Sequence, residues 1–62
     1  MLKEYLVTAQ GYEKNDQYKQ TILLHDTFMA KDDTDAREMF KTKFENEYKI
    51  IKVYSTQDVT ST

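Results

Sequence analysis

Residues 31–48, KDDTDAREMFKTKFENEY, form the one stretch of this chain with helical periodicity, and strand-like segments stand on both sides of it. Ala36, Met39, Phe40 and Phe44 recur at the spacing of one helix face. Neither Pro nor Gly interrupts the run. Asp32 or Asp33 supplies the N-cap, where a short oxygen acceptor satisfies an otherwise unpaired N–H. Asp32, Asp33, Asp35 and Glu38 sit near the positive end of the helix dipole, which favours negative charge. A lone helix covers only one face of a sheet, so this segment dictates a two-layer α+β domain.

The strands follow from composition and alternation. Residues 4–10, EYLVTAQ, are rich in Tyr, Val, Leu and Thr and read as the first strand. GYEKNDQ, with the only Gly of the chain, is a hairpin loop. YKQTILLH, residues 18–25, is the second strand, and DTFMA either extends it with Phe28 inward or leaves it. YKIIKVYS, residues 48–55, is the third. The resulting order is β-β-α-β. A right-handed crossover joins the second and third strands. The simplest sheet places the first strand in the middle, order 2-1-3, antiparallel to both neighbours. The domain spans 1–55, and the polar residues 56–62 read as a fraying tail.

Sixty-two residues bury too little surface for ample stability. Small domains add disulfides, a metal or a partner chain. The chain has no Cys and one His, so neither a disulfide nor a structural zinc site is expected, and a homodimer is. The net charge is −2 with both signs interspersed, which gives no footprint for nucleic acid. No apolar run approaches the roughly 20 residues of a membrane span. The N-terminus lacks the apolar region of a signal peptide. These features point to a cytoplasmic protein, and the opening Met1 to a complete small reading frame.

Alternation also divides the sheet into faces. Tyr5, Val7, Ala9, Ile22, Leu24, Ile51 and Val53 are expected to meet the helix. Leu6, Leu23, Ile50 and Tyr54 then share the opposite face with Thr8 and His25. Apolar groups converging from three strands mark a contact surface, here a dimer or sheet-face contact.

Catalytic signals are weak. His25 and Asp26 are neighbours on a strand and point to opposite faces, so they do not act as a pair. The acids around residues 26–38 lack the ligand spacing and the Gly of a calcium loop. One Gly excludes a phosphate-binding glycine loop. The expected role is therefore non-enzymatic binding without a cofactor or metal. Helix-borne rings and acids, Phe40, Phe44, Glu45, Glu47 and Tyr48, are the expected partner contacts. Glu45 and Glu47 stand near the helix C-terminus, where they do not help the helix. The matching partner is a protein with a basic surface.

The segment FENEY, Phe44 to Tyr48, has the form Phe-Glu-x-x-Tyr. With the β-β-α-β order and the small acidic Cys-free chain, it resembles the small uracil-DNA glycosylase inhibitors of Bacillus podoviruses. Aligned on the last strand instead, Phe40 takes the place of that family's anchoring Phe. The resemblance implies a phage protein that forms dimers. It also implies a DNA mimic, lodging helix-borne Phe, Glu and Tyr in the DNA-binding groove of host uracil-DNA glycosylase. The alternative is a self-associating accessory protein with no enzyme target.

Overall fold

The computed structural model describes residues 1–60. Three strands, β1 (Lys3–Glu13), β2 (Ile22–Ala30) and β3 (Tyr48–Asp58), form one sheet, and α1 (Asp33–Phe44) connects β2 to β3. The strand order is β2-β1-β3, with β1 antiparallel to both neighbours. The central strand is also the one with the cleanest alternation. Every second residue from Tyr5 to Gly11 is buried and the residues between are half-buried.

α1 lies on that buried face. Its N-cap is Asp32, whose carboxylate accepts the Asp35 N–H at 2.8 Å. The core joins Tyr5, Val7 and Ala9 of β1, Leu24 and Ala30 of β2, and Ala36 and Phe40 of α1. Phe40 and Val7 are the largest side chains fully removed from solvent. Of α1, Ala36 and Phe40 are fully buried, in the same core as Ala9 and Ala30 of the sheet. Met39, expected in the core, lies on the flank and keeps 38% of its surface exposed.

Strand boundaries differ from the sequence expectation. β1 runs on through Gly11, Tyr12 and Glu13, expected in the hairpin loop, because these residues pair with β3 and Gly11 also pairs with Ile22. β2 starts at Ile22 and runs through DTFMA to Ala30, with Phe28 packed inward. Tyr18 belongs to the hairpin loop and is 82% exposed. Asp16 organises that loop, its two carboxylate oxygens accepting the Tyr18 and Gln20 N–H groups. β3 continues to Asp58, so residues 56–58 of the expected tail pair with β1. Beyond it, the Val59 N–H donates to the Glu4 carbonyl and the Glu4 N–H donates to Thr60 Oγ1. Residues 61 and 62 of that tail lie outside the described residues.

β3 also carries two register shifts against β1. Gly11 pairs with Ile50 but Gln10 pairs with Lys52, leaving Ile51 as an extra residue. Ala9 pairs with Val53 but Thr8 pairs with Ser55, leaving Tyr54 as a second one. Bulges of this kind re-aim side chains. Ile50 therefore turns to the helix side and packs on the core, while Ile51 is exposed. The strict alternation expected for these two residues is reversed.

Candidate functional site

Two surfaces hold the residues singled out by the sequence. The first is the sheet face away from α1. Cross-strand partners share a face, so Leu6 with Thr27, Thr8 with His25 and Gln10 with Leu23 lie together on it. Leu23 is 60% exposed, and Met29, beside Glu4 on the same face, is 52% exposed. The bulged Tyr54 reaches this face as well. Its hydroxyl donates to Gln10 Oε1 at 2.7 Å. Leu23, Gln10 and Tyr54 thus form one row across the three strands. Leu6, Leu23 and Tyr54 stand where the sequence places them, and Ile50 does not, because the bulge at Ile51 carries it to the core. Met29 joins the group unpredicted. Its signal was the alternation of DTFMA, continuous with that of Leu23 and His25.

The second surface is the end of α1. Phe28, Phe40, Phe44 and Tyr48 form a chain of rings with successive centroid distances of 6.2, 4.6 and 5.7 Å. Burial is deepest at Phe40, and the rings on either side of it are half-buried. Phe40 is fully buried, so it is a core residue and not a partner contact. Phe44 and Tyr48 are half-buried against the core. Glu45 and Glu47 are exposed. Glu45 is the C-cap, its N–H donating to the Lys41 carbonyl at 2.8 Å. Glu47 lies past the helix, and its carbonyl accepts the Lys14 N–H at 2.9 Å. Phe44, Glu45 and Tyr48 are therefore adjacent at one end of the molecule. Their electrostatic setting is basic, because Glu45 borders a cleft lined by Lys14, Lys41, Lys49 and Lys52.

Lys43 points the other way, toward β2. Its ammonium donates to the carboxylate of Asp26 and lies 5.8 Å from the Phe28 ring centroid. That hydrogen bond, and a second from the Thr27 N–H, hold the Asp26 carboxyl below its ordinary value. Asp58 is lowered too, by hydrogen bonds from Thr60 and by Lys3. His25 is exposed on the open face and Asp26 lies on the helix side, so they do not converge. Among the described residues, no three His, Asp or Glu side chains gather closely enough to hold a metal ion. No helix among them is long and apolar enough to cross a membrane.

Compared with known proteins, the chain matches no family model, no curated protein and no solved structure.

Proposed function

We propose that this chain is a small non-enzymatic protein-binding module whose open sheet face joins it to a second copy of itself. The observation that carries the proposal is the row Leu23, Gln10, Tyr54, with Leu6 and Met29 beside it, left uncovered by α1. The central rungs suit a two-fold contact. Leu6, Thr8, Leu23, Thr27 and Ser55 carry no formal charge, whereas Lys52, the cross-strand partner of Gln10, and Glu4, that of Met29, bring one charge of each sign to the same face. The area is modest. Strands of 11, 9 and 11 residues, at about 3.3 Å per residue and 4.8 Å between strands, give two faces that bury on the order of 1,000 Å². That is the lower edge of specific interfaces, and it fits a dimer of micromolar strength. Light scattering across a concentration series tests the proposal. A dimer at about 100 μM that Leu23→Glu dissociates supports it, whereas a monomer at several hundred micromolar removes it.

The second reading is an inhibitor of a host protein, of the kind the uracil-DNA glycosylase inhibitors represent, acting in the cytoplasm of a phage-infected cell. Its support is the adjacency of exposed Glu45 with half-buried Phe44 and Tyr48. The lysines around Glu45 weigh against phosphate mimicry at this point. Uracil excision by a purified bacterial glycosylase decides it. Unchanged excision at large molar excess of this protein removes that target.

A further inference from the structure

A groove runs between the later turns of α1 and β3. One part encloses about 370 Å³, and a neighbouring hollow of about 470 Å³ continues it along β3, sharing Lys41 and Val53. Lysines reach the first part from three places in the fold. Lys14 comes from the start of the hairpin loop, Lys41 from α1, and Lys49 and Lys52 from β3. Glu45 is the one acid that lines it. The ion pairs among the described residues are Lys3–Asp58, Arg37–Asp33 and Lys43–Asp26. The four lysines that line the groove therefore have no salt-bridge partner among those residues, although the chain as a whole is acidic; Lys49 and Lys52, paired with Tyr12 and Gln10, come from the far side of β3 at its free edge.

The rest of the lining tells two anionic polymers apart. Single-stranded nucleic acid needs aromatic faces on which bases stack. Tyr48 already packs edge-on with Phe44, and the Lys52 ammonium lies 5.5 Å from the centroid of the Tyr54 ring. The groove offers an aliphatic floor instead, from Ile50 and Val53, whose side chains are half-buried against the core.

We infer that this groove binds an acidic peptide segment of another protein. Apolar side chains of the peptide rest on Ile50 and Val53, and its carboxylates meet Lys14, Lys41, Lys49 and Lys52. Charge complementarity of this kind raises the on-rate and sets selectivity, and salt weakens it. The groove follows the free edge of β3 and shares Lys52 and Tyr54 with the open sheet face, so light scattering read alongside the anisotropy separates loss of peptide binding from loss of the dimer. Either property can fail without the other.

The probes are a short fluorescein-labelled peptide of glutamates around two central leucines, the same peptide with lysines for glutamates, and an oligothymidylate of equal charge. Fluorescence anisotropy at low salt is expected to show binding of the acidic peptide only. Lys49→Glu with Lys52→Glu is expected to weaken it by roughly tenfold or more. Lys14→Glu with Lys41→Glu should do the same from other elements, while Lys31→Glu, away from the groove, leaves it unchanged. Circular dichroism confirms that each variant is folded. Three results would overturn the inference: no binding of the acidic peptide at several hundred micromolar, equal binding by both charge-reversed pairs, or tighter binding of the oligothymidylate.

Discussion

Lys43, in the last turn of α1, donates a hydrogen bond to the carboxylate of Asp26 in the middle of β2. The same carboxylate accepts the N–H of Thr27, on the strand's free edge. One acid thus ties the helix end to the sheet and caps an edge donor. Its lowered carboxyl fixes the sign of a pH effect. A carboxylate that binds its proton less readily when folded stabilises the fold above its ordinary value of 3.8, and that stability is lost as pH falls through the lowered value. Lys43 is largely exposed, so the pair is worth only about 0.5–1 kcal/mol. Asp26→Asn, which keeps an acceptor for Thr27, should cost about that much in urea unfolding at neutral pH. The difference from the parent should shrink once the carboxylate is protonated. An equal difference at both ends of the pH range would remove the electrostatic account.

Gly11 is required by proximity and not by an unusual backbone angle. A Cβ at this position would lie 2.6 Å from the Lys49 carbonyl oxygen and 3.2 Å from Leu24 Cδ1. The leucine can shift, but the carbonyl moves only with β3. Gly11→Ala should therefore destabilise by about 1–3 kcal/mol. That outweighs the roughly 0.5–1 kcal/mol by which Ala is otherwise favoured over Gly in a strand. Thermal unfolding followed by circular dichroism measures the balance, and an unchanged or raised midpoint would mean that β3 yields freely there.

The graded burial of the ring chain predicts an ordering. Phe40→Ala should cost about 3–5 kcal/mol, a large part of the total for so small a domain, and leave the chain mostly unfolded at room temperature. Phe44→Ala and Tyr48→Ala should cost less, because both rings keep part of their surface in water. Denaturant midpoints in the order parent, Tyr48→Ala or Phe44→Ala, then Phe40→Ala are expected. A Phe40→Ala variant as stable as the other two would contradict the placement of the core.

Asp32 is the N-cap of α1, its carboxylate accepting the Asp35 N–H, while Asp33 accepts the Thr34 N–H. Asp32→Ala should lower stability by about 1 kcal/mol, and Asp32→Asn or Asp32→Ser should restore most of it. The helical ellipticity and the melting midpoint should move together. If Asp33→Ala had the larger effect, the helix would begin one residue later than described.

Much of the fold was legible because its signals were local. The N-cap acids and the helix stripe marked α1, and the polar stretch before β2 marked the hairpin, although Gly11, Tyr12 and Glu13, read as part of that loop, belong to β1. The order 2-1-3 followed from a short loop and one crossover. The misreadings arose where a residue's direction depends on a partner strand. Ile50 and Ile51 are chemically equivalent, and only the register against Gly11 and Gln10 decides which turns inward. The extension of β3 past Ser55 has the same origin, because STQD is polar and earns its place in the sheet by pairing with β1. The basic groove was hidden for another reason. Lys14, Lys41, Lys49 and Lys52 come from separate segments, each of which also contains acids, so no run of positive charge announces it.

The bond between the Val59 N–H and the Glu4 carbonyl closes the ladder at the end where β1 begins and β3 finishes. These strands are antiparallel, so the start of one and the finish of the other are neighbours. Tension applied between them loads the rungs one at a time, the Val59–Glu4 bond first and Tyr5 with Asp58 next, and peels the pair like a zipper. Tension between the start of β1 and the start of β3, at opposite ends of the sheet, would instead slide the two strands past each other and strain many rungs together. Mechanically, then, the domain has a soft axis and a hard one, set by where it is gripped.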